Sequence, residues 1–266
     1  MVARGPWLAR FAAPAVLLAI AALPTAGAVK LEVREGRAFA NGVLVNGHGP
    51  YRFLIDTGTN MNLIETGLAR KIGMEATFHE FVDSALGKTL MPGNDGNVVE
   101  LGSVRSENQR FQFSTLDSLH AVWPDVEGVL GQAFLASFDY LLDLRHKTLE
   151  FGKQERAGSR TPFHLLDGRT TLATSLGDLV VDSGAARLLL FGVGPGDRQQ
   201  VPMLTLTGSE NVGMVSRRLV IDGRNVWRGS AVALPDRSEP GVAGLMPVSL
   251  FKSVYICNSE GYVVLE

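Results

Sequence analysis

A short motif occurs twice in this chain, each time between two apolar segments. The first copy, in residues 51–65, contains Asp56-Thr57-Gly58, and the second, in residues 177–191, contains Asp182-Ser183-Gly184. In both copies an apolar segment with the character of a strand leads into the Asp-(Thr/Ser)-Gly turn, and a second one begins three residues later. One such tripeptide would be weak evidence, because Asp and Gly are common in turns.

A second pair of similar segments lies downstream of the two turns. Residues 127–138 parallel residues 243–254, and the same offset of 116 carries residues 148–150 onto 264–266. Because two landmarks repeat in the same order, the sequence predicts a duplicated lobe.

The remaining pattern is that of a β protein. Short stretches rich in Val, Leu, Phe and Thr alternate with Gly and Asn turns, and residues 39–47, 218–227 and 262–266 are typical of hairpins. Helical periodicity occurs only in short pieces, before Gly73 and in residues 132–138. The polar stretch 154–161 is the expected linker between the two halves.

The first 28 residues predict a secretory signal. Arg4 and Arg10 precede an apolar run of about 14 residues, 11–24. Residues 26–28 (Ala-Gly-Ala) then have the small-x-small pattern of a cleavage site. A transmembrane anchor is the alternative, but the run is shorter than the roughly 20 residues that span a bilayer. Cleavage would leave 23 basic and 27 acidic side chains, a net charge of −4, on an exported protein, periplasmic or secreted.

Charge and cysteine content exclude several other classes. The full chain has a net charge of −2 and no run of like charges, so neither nucleic acid nor an anionic membrane surface is an expected partner. The single cysteine, Cys257, rules out an intramolecular disulfide framework and a Cys-rich metal site.

The doubled motifs resemble those of the aspartic proteases, both the bilobal pepsin-like kind and the single-lobe retroviral kind. The apolar-apolar-Asp-Thr-Gly signature stands at residues 54–59 and again at 180–185, and its companion, apolar-apolar-Gly, stands at 129–131. The chain is also similar to bacterial retropepsin-like proteins, whose lobes end in a Gly-Ile-Leu-Gly-x-x-Phe-Leu segment, here residues 128–135.

The resemblance implies an all-β fold of two pseudo-symmetric acid-protease lobes, each resembling a β-barrel, with short accessory helices. The expected domains are a signal peptide in residues 1–28, an N-terminal lobe in 29–155 and a C-terminal lobe in 156–266. Since one chain carries both motifs, we expect a monomer rather than the obligate dimer of the retroviral relatives.

The same resemblance assigns catalysis to Asp56 and Asp182. Peptide hydrolysis without a metal or a covalent nucleophile needs one carboxylate to activate water and one protonated carboxyl to donate to the scissile carbonyl. Two carboxyl groups that face each other at short distance share one proton, because repulsion between two negative charges disfavours the state in which both are ionised. No cofactor is expected, and a peptide or unfolded protein is the expected substrate.

Five neighbouring residues are expected to support this pair. The glycines permit the tight turns and leave room for amides to point at the carboxylates, and in the family the hydroxyls bridge the two loops. These residues are Thr57, Gly58, Thr59, Ser183 and Gly184.

Three departures from the family pattern stand out. Ala185 lacks the hydroxyl that Thr59 places beside the first aspartate, and Pro247 stands where the first copy has Gly131, so the second supporting loop must pack differently. A flap tyrosine is also missing. The expected flap is the Gly-rich stretch 87–96, with Phe78 or Phe81 as its aromatic residue.

Other hydrolase chemistries find little support in the sequence. The five histidines are scattered, without a pair at metal-ligand spacing, and there is no Gly-x-Ser-x-Gly elbow. Two hypotheses remain open: an aspartic endopeptidase of the cell envelope, and a catalytically degenerate peptide-binding or scaffold protein on the same fold.

Overall fold

The structure, a computed structural model, describes residues 27–84, 87–194, 197–205, 208–234 and 241–266. Strands dominate these ranges, and the helices are short, which confirms the mainly β fold with accessory helices. The predicted signal segment lies outside the described residues, apart from Gly27 and Ala28. Within the described part, no helix is both long and apolar enough to cross a membrane.

The first half of the chain holds ten strands and three short α-helices among its described residues. In chain order they are β1 (Val29–Arg34), β2 (Arg37–Val45), β3 (His48–Ile55), β4 (Asn62–Glu65), α1 (Thr66–Lys71), β5 (Phe78–Ser84), β6 (Gly87–Leu101), β7 (Val104–Ser114), α2 (Asp117–His120), β8 (Gly128–Leu130), α3 (Gln132–Leu135), β9 (Tyr140–Asp143) and β10 (Thr148–Phe151).

The second half continues with strands and one 3-10 turn. Its elements are β11 (Arg160–Pro162), β12 (His164–Leu166), β13 (Arg169–Thr174), β14 (Gly177–Asp182), β15 (Leu189–Phe191), β16 (Asp197–Thr205), β17 (Gly208–Ile221), β18 (Arg224–Leu234), β19 (Gly244–Pro247), the 3-10 turn Val248–Leu250, β20 (Ser253–Cys257) and β21 (Tyr262–Leu265).

Residues with positive φ close the predicted hairpins. Asn46 and Gly47 join β2 to β3 with φ of 53° and 76°, and Asp222 and Gly223 join β17 to β18 with φ of 49° and 73°. Positive φ at both central residues matches the right-handed twist of the flanking strands, which is why Asn-Gly and Asp-Gly favour these turns. The hairpins predicted at 39–47 and 218–227 are therefore confirmed.

The strands form two sheets that have the same central topology. In the 13-stranded sheet, β3 runs parallel to β8, β8 antiparallel to β4, and β4 parallel to β7. In the 8-stranded sheet, β14 runs parallel to β19, β19 antiparallel to β15, and β15 parallel to β18. This correspondence agrees with the duplication read from the sequence, although the pseudo-symmetry of whole lobes stays a prediction.

The two halves also share structure at their junction. The outer strands of the larger sheet come from both halves, since β20 pairs with β9 and β11 pairs with β21. The main hydrophobic core is likewise common to both and includes Leu142 from the first half and Val254 from the second. The predicted linker 154–161 ends inside β11, and the predicted domain boundary at 155/156 stays a prediction.

Candidate active site

Each aspartate follows or ends a buried strand in the middle of its sheet. Asp56 comes directly after β3 and Asp182 is the last residue of β14. The register of β3 on β8 places Ile55 opposite Leu130, and the register of β14 on β19 places Val181 opposite Met246. The two aspartates therefore occupy equivalent positions, as expected from the repeat.

Four hydrogen bonds join the two Asp-(Thr/Ser)-Gly turns. The Thr57 hydroxyl donates to the Val181 carbonyl (2.8 Å) and accepts from the Ser183 amide (3.0 Å). The Ser183 hydroxyl donates to the Ile55 carbonyl (2.7 Å) and accepts from the Thr57 amide (2.9 Å). Both side chains are fully buried, so these bonds fix the two turns against each other away from water.

The two turn glycines leave the space that the opposite carboxyl group fills. A Cβ on Gly58 would lie 2.5 Å from each carboxyl oxygen of Asp182, and a Cβ on Gly184 would lie 2.6 Å from those of Asp56. Any side chain at either position would thus collide with the facing aspartate. The requirement for glycine here comes from close approach and not from backbone conformation.

Backbone amides orient both carboxyl groups. Gly58 donates to Oδ1 of Asp56 (2.9 Å), while Oδ1 of Asp182 accepts from both Gly184 (2.7 Å) and Ala185 (2.9 Å). The Ala185 amide thus gives Asp182 a second backbone donor to the same oxygen, in a turn that lacks the Thr59 hydroxyl of the first copy. The two carboxyl groups lie in different hydrogen-bonding environments.

The two carboxyl groups are buried, and this changes the protonation of the pair. Asp56 is 7% exposed and Asp182 is 5% exposed, and their side chains lie within hydrogen-bonding reach of each other. Burial raises the pKa of both carboxyls, and the Asp56 charge raises the pKa of Asp182 further. The pair therefore titrates as a unit that holds a proton more strongly than an exposed aspartate does.

Gln132 supports the first turn through hydrogen bonds to its backbone. The sequence analysis did not name Gln132 as a site residue. Its side-chain amide donates to the Thr57 carbonyl (3.0 Å) and its backbone amide donates to the Thr59 carbonyl (2.9 Å). Gln132 opens α3 directly after Gly131, whose amide is held by the side chain of Asn62 (3.1 Å). The sequence signal that could have identified Gln132 is a polar residue directly after the apolar-apolar-Gly element.

The second turn has a different support, as Pro247 predicted. The register places Pro247 opposite Asp182, and the chain continues into the 3-10 turn Val248–Leu250 instead of an α-helix. Proline donates no amide and Val248 has no polar side chain, so the arrangement of Gly131 and Gln132 has no counterpart here.

The Gly-rich stretch that was expected to form the turn of a flap is part of a strand instead. Residues 87–96 lie within β6 and form no turn; β6 pairs antiparallel with β5, from Phe78 opposite Gly93 to Ser84 opposite Gly87. Phe78 packs under the guanidinium of Arg110 at 3.7 Å, whereas Phe81 is 71% exposed and pairs across the hairpin with Leu90. Phe81 is therefore the better placed of the two aromatic candidates to meet a ligand.

Among the described residues, no group of three or more His, Cys, Asp or Glu side chains could hold a metal ion. Cys257 is buried, and its Sγ lies 3.5 Å from the Ser259 hydroxyl.

Comparison with known proteins agrees with the motifs. Residues 42–134 match the family model described as Aspartyl protease, which covers about a third of the chain and contains the first Asp-Thr-Gly turn. This match agrees with the resemblance to aspartic proteases read from the sequence. A search of curated proteins found no significant match.

Among solved structures, the chain is similar to a retropepsin-like aspartic protease from Rickettsia conorii. The two are 17% identical, with a TM-score of 0.34. The match covers 47% of this chain and 88% of that one.

Proposed function

We propose that the protein is an aspartic endopeptidase in which Asp56 and Asp182 activate water. The observation that carries the proposal is the pair of buried carboxyl groups on two equivalent turns. The carboxyl group of each turn occupies the space where a side chain on the other turn's glycine would lie. A structural role alone does not account for this arrangement, because burying two like-charged groups together costs stability. Selection for chemistry accounts for it directly.

In the proposed reaction, one carboxylate takes a proton from a water molecule as the water oxygen attacks the scissile carbonyl carbon. The other, protonated carboxyl donates to the carbonyl oxygen, which gives a neutral tetrahedral diol. Collapse of the diol returns a proton through the pair to the leaving nitrogen as the C–N bond breaks. The products are a carboxylic acid and an amine, and the pair again holds one proton.

The proposal includes an exported, monomeric enzyme that acts on a peptide or unfolded protein. The signal-like segment supports export to the periplasm or medium. Both aspartates lie on one chain and their turns are bonded to each other, which supports a complete site in a monomer. N-terminal sequencing of the protein from cell fractions tests export, since a full-length chain with Met1 in the cytoplasm would contradict it.

Cleavage of a fluorescently labelled, unfolded protein such as casein tests the activity. Between about pH 3 and pH 7 we expect internal cleavage by the wild type and its loss in both Asp56→Asn and Asp182→Asn. Asp178→Asn is a matched control, because Asp178 lies on the same strand as Asp182 with its side chain 39% exposed, and it should retain activity. Activity that survives in either dyad variant would refute the proposed mechanism.

A second candidate, a peptide-binding scaffold that no longer turns over, is favoured by Pro247. Since proline replaces the glycine that leads into Gln132 in the first lobe, the second turn lacks the polar support of the first. Peptide that binds the wild-type protein and is recovered intact would favour this function over proteolysis.

A further inference from the structure

We propose that Arg37 is a positioning residue that orients the Asp182 carboxyl through the Gly184–Ala185 peptide. The effect of Arg37 on catalysis rests on the proposed function, whereas its effect on the Asp182 carboxyl does not. Arg37 is the first residue of β2, in the N-terminal half, yet its Nε donates to the Gly184 carbonyl at 2.7 Å. The contact spans 147 positions of sequence and reaches the second catalytic turn from the first lobe.

The guanidinium of Arg37 is itself fixed by its surroundings. It lies over the Trp123 ring at 5.0 Å, it is 3.8 Å from the Glu35 carboxylate, and only 12% of the side chain is exposed. Trp123 is buried against Phe39, with ring centroids 5.2 Å apart. An arginine held on three sides loses little further freedom when it binds the Gly184 carbonyl.

One peptide unit connects Arg37 to the aspartate. The carbonyl that Arg37 holds and the Ala185 amide that donates to Asp182 Oδ1 (2.9 Å) belong to the same planar group. Holding the oxygen therefore fixes the direction of the N–H. The positive charge of the Arg37 guanidinium, which donates to that oxygen, also polarises the peptide and strengthens the N–H as a donor.

The charge of Arg37 acts on both carboxyl groups. The charged groups that face it are Glu35 on its own hairpin and Asp56 and Asp182 in the site. Among the causes that set the pKa of Asp56, the Arg37 charge acts to lower it, against the larger effect of burial. Loss of this charge should move ionisation of the pair to higher pH.

The position of Arg37 is part of the internal repeat. Glu35-Gly36-Arg37 corresponds to Asp167-Gly168-Arg169, and both turns have positive φ at their first two residues, 50° and 78° in one and 49° and 73° in the other. Arg37 pairs with Arg34 across its hairpin, as Arg169 pairs with Leu166. Arg169 is also buried, 7% exposed. The same kind of turn, followed by a largely buried arginine, therefore occurs in both halves of the chain.

The test compares Arg37→Gln with Arg34→Gln. Arg34 lies on the same hairpin and also carries a positive charge, but its partners are Glu32 and Asp125. In protein labelled with ¹³C at the aspartate carboxyls, we expect Arg37→Gln to move the dyad titration to higher pH and Arg34→Gln to leave it unchanged. A dyad titration identical to the wild type in Arg37→Gln would overturn the proposal.

Arg37→Lys keeps the positive charge but removes the planar guanidinium, so it separates the effect of the charge from that of the hydrogen-bond geometry. It also replaces Arg37→Gln as the test if that variant does not fold. We expect a titration close to that of the wild type, but faster hydrogen exchange at the Ala185 amide, because lysine lacks the planar group that holds the carbonyl. Unchanged exchange at Ala185 in Arg37→Lys would also count against the proposal.

Turnover provides the catalytic part of the test. In an active enzyme, kcat of Arg37→Gln should fall by roughly tenfold, the effect of one charge-assisted hydrogen bond, with KM little changed. A wild-type protein that cleaves nothing but shows the titration shift would refute the proposed function and leave the positioning role intact. An active enzyme whose kcat is unaffected by Arg37→Gln would refute the catalytic role of Arg37.

Discussion

Replacement of Thr57 by valine should reveal how strongly the two Asp-(Thr/Ser)-Gly turns are held together. Valine has nearly the shape of threonine but no hydroxyl, so the change removes hydrogen bonds with little effect on packing. Thr57 is fully buried, and its hydroxyl donates to the Val181 carbonyl and accepts from the Ser183 amide. Both of these bonds connect the first half of the chain to the second.

The expected loss of stability follows from the two groups left without a partner. A buried backbone donor or acceptor that loses its hydrogen bond costs about 1–3 kcal/mol, so the loss of two should lower the free energy of unfolding of Thr57→Val by about 2–6 kcal/mol. Such a loss is a large share of the roughly 5–15 kcal/mol that stabilises a typical protein. It should also displace Asp56 relative to Asp182 and reduce kcat.

Urea denaturation followed by circular dichroism measures the effect, with Thr57→Ser as the matched control. Serine keeps the hydroxyl and loses one methyl group, so this variant should lose only about 1 kcal/mol. If Thr57→Val lies within about 0.5 kcal/mol of the wild type, or is more stable than Thr57→Ser, the hydroxyl bonds do not hold the turns together.

Three further results are expected. Burial raises the pKa of the Asp182 carboxyl above 3.8, so the contribution of this carboxyl to stability is present at low pH and is lost as pH rises. Asp182→Asn should therefore have a higher melting temperature than the wild type at pH 7, and the difference should shrink towards pH 3.8. Equal melting temperatures at pH 7 would show that the pKa is unperturbed. Gln132→Leu leaves the Thr57 carbonyl without its side-chain donor and should cost about 1–3 kcal/mol in urea unfolding, an amount that Gln132→Glu would not restore since a carboxylate cannot donate. Phe81→Ser, at a side chain 71% exposed, should change stability by less than about 0.5 kcal/mol yet raise KM for an unfolded substrate; an unchanged KM would remove Phe81 from the binding surface.

The sequence was sufficient to predict the parts of the fold that repeat locally. Asp56 and Asp182 could be paired because apolar strands flank both turns, and the structure places them at equivalent registers. Hairpins were predictable wherever Asn-Gly or Asp-Gly set a positive φ, as at Asn46.

Features that depend on long-range packing could not be predicted in the same way. Residues 87–96 were expected to form a turn because of their glycines, whereas Gly93 lies in β6, where a Cβ would meet the Phe78 ring and the Phe111 carbonyl. The contact between Arg37 and Gly184 joins distant segments, and no local pattern specifies it. A Gly-Arg pair does recur, at residues 36–37 and 168–169, but the sequence analysis did not use this signal.

Mixing the two inactivated variants tests the central claim, that one chain holds the complete catalytic pair. Asp56→Asn and Asp182→Asn are each expected to be inactive, and an equimolar mixture should stay inactive, because each molecule then lacks one aspartate of its own site. Wild-type activity should rise in proportion to protein concentration. Activity that returns on mixing, or that rises as the square of the concentration, would show that the site forms between two chains and would contradict this account.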